Sequence, residues 1–148
     1  ASHSLTLHVP VRVREIGPKR YAVSGTPTDC VLLAAKQIIP GMDSTPVDLV
    51  LSGVNRGSNV GDDISYSGTV AGAMEATVLN IPAVALSQLF YDNKPIYWET
   101  AERHAPEVIR RALECGWPEG TFINLNFPAL PPEQVKGAVC AAQGKRIM

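Results

Sequence analysis

An α/β fold, a layered sheet that is mostly parallel with antiparallel edge strands, is predicted by three observations. Apolar runs of strand length alternate with stretches of helical spacing, in the order β, β, α, β, α, β, α, β, β. Strands separated by helices require parallel crossovers. The first run alternates with period two, and later elements stop at Gly, Pro or Asn.

Residues 5–16 place Leu5, Leu7, Val9, Val11 and Val13 between polar partners, which predicts an extended strand; Pro10 assigns it to an edge. Gly17-Pro18 turns the chain, and residues 21–24 pair back antiparallel. Thr26 is an N-cap and Pro27 a first helical residue; Val31, Ala34, Ala35 and Ile38 carry that helix to Pro40-Gly41. Residues 47–51 form a buried strand that ends in a glycine-rich loop over 52–61. Ser67-Gly68-Thr69 opens a helix over 70–79, rich in small residues, with Asn80 at its C-terminal end and Pro82 beyond. The next strand is 83–86, expected to lie parallel to 47–51 with this helix crossing between them. A helix over 98–115 closes at Gly116; Pro106 demands either a kink or a start nearer Ala105. Strands over 122–127 and 135–142 complete the order.

The 148 residues suit one domain, 1–148, with a sizeable core. Thirteen Lys+Arg against fourteen Asp+Glu leave a net charge of −1, which argues against a binder of nucleic-acid polymers and against a polybasic membrane anchor. No apolar run approaches the roughly 18 residues of a spanning helix. Cys30, Cys115 and Cys140 lack C-x-x-C spacing and fit free thiols in a reducing, cytoplasmic setting. No signal peptide is seen; the chain opens at Ala1 as if in mid-loop and ends at Met148 without a stop signal, as a piece of a longer protein would.

Ligands of open α/β sheets bind beyond the carboxyl ends of the strands. Loop 52–61 and the helix start at Ser67-Gly68-Thr69 meet that condition: glycines admit an anion to backbone N–H groups, and a helix N-terminus adds donors and a positive dipole end. A plain tight connection explains the same Gly and Ser residues equally well. The P-loop, dinucleotide and nucleophile-elbow motifs are absent. Asp62-Asp63 is a carboxylate pair for a hard cation, or a pair of helix-start acids balancing the dipole. His3, His8 and His104 show no ligand spacing, and Trp98 and Trp117 read as packing residues. Asn124 and Asn126 read as sheet-end polar groups, and Glu75, among small helix residues, as a partner for a nearby base.

The stretches Ser52-Gly53-Val54-Asn55-Arg56-Gly57-Ser58-Asn59 and Tyr66-Ser67-Gly68-Thr69-Val70-Ala71-Gly72-Ala73-Met74-Glu75 closely resemble the survival protein E (SurE) family of 5'/3'-nucleotidases. Ala1-Ser2-His3-Ser4-Leu5-Thr6 and Ser24-Gly25-Thr26-Pro27-Thr28-Asp29-Cys30 match the same family in the same order. The resemblance implies a Rossmann-like domain, assembled as a dimer or tetramer, that hydrolyses nucleoside monophosphates with a divalent ion, Mg²⁺ or Mn²⁺. It implies metal ligation by two adjacent aspartates, a serine and an asparagine. Only the asparagine, Asn55, falls in this chain; the aspartates of an N-D-D-G motif and the serine would precede Ala1, so Ser2 and Ser4 do not take that role. Asp62-Asp63 does not match the family pair, while Asn59, Ser67 and Thr69 match positions lining the phosphate site, with backbone donors at Gly68 and Thr69. No residue matches a general base. The first βαβ unit and a C-terminal extension of the family are missing. The competing class is a non-catalytic nucleotide- or phosphate-binding α/β module.

Overall fold

The structure is a computed structural model that describes residues 3–42 and 45–145. Ala1, Ser2 and residues 146–148, which the sequence reading used at the two ends, lie outside the described residues. Strands β1 (Val13–Gly17) and β2 (Arg20–Val23) form an antiparallel hairpin. Helix α1 (Pro27–Leu33) passes through a π-turn (Ala34–Ile38) into the short α2 (Ile39–Met42). Strand β3 (Val50–Arg56), a 3-10 turn (Gly61–Tyr66), helix α3 (Gly68–Val78), strand β4 (Ala83–Gln88), helix α4 (Trp98–Glu114) and strand β5 (Ile123–Phe127) follow. The last three strands form a parallel sheet in the order β3-β4-β5.

Helix α1 starts where the sequence says. Thr26 Oγ1 accepts from Asp29 N, and the Asp29 carboxylate accepts from Thr26 N, a reciprocal capping box with Pro27 at the first helical position. The π-turn bonds Ile39 N to Ala34 O, and the widened turn makes room for the Pro40 ring, so the helix runs on to Met42 instead of stopping at Pro40. Helix α4 runs unbroken from Trp98 through Pro106. Pro106 is exposed, so the carbonyl it cannot serve, on exposed Glu102, is left to water. Asn80, at φ +58, ends α3 in the left-handed conformation that asparagine tolerates.

Two predicted strands are corrected. Residues 5–12 are not a strand: the ladder begins at Val13, and Leu7 and Val9 are 78% and 63% exposed. The segment is held instead by Thr6, which bonds to Asp29, and at Arg12, whose N donates to Ser24 Oγ and whose carbonyl accepts from Ser24 N at 3.0 Å. Residues 135–142 also form no strand; after the 3-10 turn Pro132–Gln134 they pair with no edge, and Val139 is 92% exposed. Strand β3, conversely, continues beyond Leu51 to Arg56, which places Asn55 on the sheet and not in the loop. The register shifts between Ser52 and Asn55, and Gly53, at φ +134, brings its backbone against Leu86 O where a Cβ would collide.

Strand β4 is buried throughout and carries both halves of the core. Ala83 and Ala85 face α3 through Val70, Ala73 and Ala76; Val84 and Leu86 face α4 through Ala101, with Phe127 beside them. Small residues set the spacing on the α3 side: a Cβ on Gly72 would stand 2.6 Å from Ser52 Oγ. Both crossovers step the same way along the sheet, yet α3 and α4 cover opposite faces. Their hands are therefore opposite, and one departs from the usual right-handed crossover. The chain leaves β3 toward one face and β4 toward the other, which opens a crevice beyond the strand ends.

Candidate functional site

Asn55, Ser67, Gly68 and Thr69 meet at that end of the sheet. Ser67 caps α3, its Oγ accepting from Val70 N at 3.1 Å, and its carbonyl accepts from Ala71 N at 3.0 Å. Gly68 N and Thr69 N precede these two donors in the first turn, where an α-helix offers N–H groups no partner of its own. Thr69 Oγ1 donates to Asn55 Oδ1 at 3.3 Å, and Asn55 Nδ2 donates to Gly57 O at 2.9 Å. A strand-end amide, a helix-start hydroxyl and the first-turn N–H groups thus share one half-buried corner with the helix dipole's positive end behind it.

Asn59 is bound to the adjoining strands. It is 6% exposed, and its Nδ2 donates to Ser87 Oγ at 2.7 Å. Its backbone is gripped as well: Asn59 N donates to Asn126 Oδ1 at 2.8 Å, and Asn59 O accepts from Asn124 Nδ2 at 2.8 Å and Asn126 Nδ2 at 3.1 Å. Asn55, Ser87 and Asn126 are register partners across β3, β4 and β5, a polar row at the end of the α3 face. The row fixes the loop that leaves β3, and with it the approach to the cradle. Sequence reasoning placed Asn124 and Asn126 at a sheet end but did not connect them to Asn59; their spacing of two, which puts both amides on one face, is the signal that links them. Ser87 carried no signal of its own.

A second set of contacts ties residues 3–6 to the helices beside the cradle. His3 Nε2 lies 2.8 Å from Glu75 Oε2, which supplies the base that Glu75 called for, and Glu75 is buried in α3. Asp29 accepts from Thr6 N at 3.0 Å, Thr6 Oγ1 at 2.6 Å and Thr26 N at 2.7 Å. Burial works against its charge, but these donors outweigh it and hold the Asp29 carboxyl at about 2, below its ordinary 3.8. In the same helix burial pushes the Cys30 thiol up, with the Asp29 charge adding to the effect. A raised thiol is a poor nucleophile, so Cys30 acts as a packing residue.

Asn55 Oδ1 is one neutral oxygen donor of the kind that Mg²⁺ or Mn²⁺ accepts. Among the described residues no group of three or more His, Cys, Asp and Glu is placed to complete a metal site. Asp62 and Asp63 stand exposed on the 3-10 turn Gly61–Tyr66. The described residues therefore offer no acidic set to hold a divalent ion beside Asn55.

Known proteins resemble this chain in sequence and fold. The chain is 54% identical over 147 residues to a Brucella canis protein named 5'-nucleotidase SurE, covering 97% of this chain and 56% of that protein. A Brucella abortus (strain S19) protein of the same name matches to the same extent. The crystal structure of the SurE protein from Aquifex aeolicus superposes with a TM-score of 0.88 at 43% identity, over 97% of this chain and 56% of that one. The chain thus spans a little over half the length of the relatives it matches. The match to the family described as Survival protein SurE takes in residues 1–148, and the chain belongs to that family.

Proposed function

We propose that residues 1–148 are one α/β unit of a phosphatase that hydrolyses nucleoside 5'(3')-monophosphates to nucleoside and phosphate. The observation that carries this reading is the corner where Asn55 Oδ1 and Thr69 Oγ1 stand 3.3 Å apart at the head of α3. A dianionic phosphate placed there meets Gly68 N, Thr69 N and, once its proton turns from Asn55 Oδ1, the Thr69 hydroxyl, donors for the charge that develops on equatorial oxygens. The names of the Brucella relatives supply the substrate class. Activity in this proposal depends on a divalent ion, Mg²⁺ or Mn²⁺, held by Asn55 together with acidic residues that the described chain does not contain. A homo-oligomer, dimer or tetramer, in the cytoplasm completes it; among the described residues no helix is long and apolar enough to cross a membrane.

The test is Thr69→Val in the full-length protein bearing this chain, assayed on AMP with Mg²⁺ or Mn²⁺. The substitution keeps the side-chain shape and removes one donor, so kcat is expected to fall about 100-fold. Unchanged kcat would remove Thr69 from the site. Hydrolysis with no metal requirement would contradict the metal dependence, and nucleotide binding without hydrolysis would favour the non-catalytic module.

A further inference from the structure

Arg56 closes β3 and points away from the cradle: its register partner is Gln88, on the α4 face, whereas Asn55 pairs with Ser87 on the α3 face. The guanidinium Cζ sits 4.4 Å from the centroid of the Phe90 ring, on the loop that leaves β4. Backbone bonds hold the bases of both loops, Gly57 N to Gln88 O at 2.9 Å and Leu89 N to Phe127 O at 3.0 Å. Between the two sites stands Gly57, at φ +110. A Cβ there would lie 3.8 Å from Asn55 Nδ2 and 3.8 Å from Phe90 Cε1, so the missing side chain leaves open the gap between the cradle amide and the aromatic ring.

We propose that the Arg56–Phe90 stack is the base-recognition element: with the phosphate in the Asn55–Thr69 corner, the nucleobase lies on the outer face of the Arg56 guanidinium, which Phe90 keeps flat. The proposal rests on the phosphatase reading above and adds the site for the other end of the substrate. A planar, delocalised cation stacks on a heteroaromatic ring through either face, and Phe90 covers only one of them. Arg56 is exposed, and in this proposal the face turned away from Phe90 takes the base. Stacking reads a π-face and not a hydrogen-bonding edge, so recognition of this kind separates nucleotides from other phosphate esters and tolerates different bases.

The experiment compares AMP with ribose 5-phosphate, an ester with the same sugar and phosphate and no base, in the full-length protein. Arg56→Lys keeps the charge and loses the plane; Phe90→Leu keeps bulk and loses the ring. Each is expected to lower kcat/KM for AMP about tenfold, through KM, and to leave ribose 5-phosphate within about twofold, which also shows that the variants fold. Equal losses on both esters, or no loss on either, would overturn the stack while leaving the phosphatase reading intact. An unsubstituted protein inactive on both would overturn the phosphatase reading; calorimetric titration with the two esters then decides the stack, equal affinities counting against it.

Discussion

Purified as residues 1–148, the chain is expected to hydrolyse AMP no faster than background, even in saturating Mg²⁺ or Mn²⁺. Mg²⁺ gives up its water reluctantly and is held through one or two carboxylates together with substrate phosphate. The cradle offers Asn55 Oδ1, an uncharged oxygen that already accepts from Thr69, and no acidic cluster stands among the described residues. A single amide oxygen cannot replace two carboxylates, because most of the attraction for a dication is their charge. The phosphate corner itself needs no metal, so the isolated chain should still take up phosphate. Circular dichroism establishes that the preparation is folded, and release of inorganic phosphate gives the rate, beside an Asn55→Ala control. Robust metal-dependent hydrolysis lost in that control would show that acids within this chain complete the site. Asp62 and Asp63 would be the first to substitute.

Asp29→Ala is expected to destabilise the chain by about 3 kcal/mol, since hydrogen bonds to a charged, buried carboxylate are worth about 1.5–3 kcal/mol each and do not add fully. The loss has two parts. One is the capping box at the start of α1; the other is the anchor that ties Thr6, and through it residues 3–6, to the helix layer. The effect also has a pH signature. The folded carboxyl lies at about 2 against 3.8 for its ordinary value, so the folded state binds the proton less tightly than the unfolded chain. This contribution is fully present above the unfolded value and disappears as pH falls toward the folded one. Urea midpoints measured from pH 7 to pH 2 should therefore show parent and variant converging below about pH 4. A gap that stayed constant to pH 2 would mean that Asp29 acts by shape and not by charge.

How legible each part was depends on how far apart the interacting residues lie. The N-cap at Thr26 and the first-turn Pro27 are adjacent and show in the sequence, whereas the Asp29 half of the capping box came from the structure; the small residues of α3 and the apolar run of β4 were also visible. Period-two alternation over 5–12 and the apolar residues of 135–142 were equally visible, yet neither segment is a strand here. A pattern records the preference for a half-buried sheet, whereas a strand exists only where another backbone lies alongside it. Helix α4 passing through Pro106 is the converse case, in which packing of Ala101, Ala105 and Ile109 on the sheet overrides a local penalty of about 3 kcal/mol.

At the site, the motif residues were readable because Ser67, Gly68 and Thr69 are contiguous and Asn55 precedes a glycine loop. The grip on Asn59 was not, because its partners sit 28, 65 and 67 residues away on two other strands. Resemblance set Asn59 among phosphate-lining positions; in the structure its Nδ2 donates to Ser87 Oγ, the register partner of Asn55. Opposite crossover hands left no trace in the sequence either, since neither α3, rich in small residues and buried on most sides, nor the amphipathic α4 says which face of the sheet it will cover.

The central claim is that the corner formed by Asn55, Ser67, Gly68 and Thr69 is where phosphate binds, and diffraction from crystals soaked in inorganic phosphate tests it most directly. The account predicts one phosphate at the head of α3, accepting from Gly68 N, Thr69 N and Thr69 Oγ1, and its loss from crystals of Thr69→Val grown and soaked in the same way. Phosphate bound at saturation only elsewhere on the molecule, with that corner left to water, would contradict it.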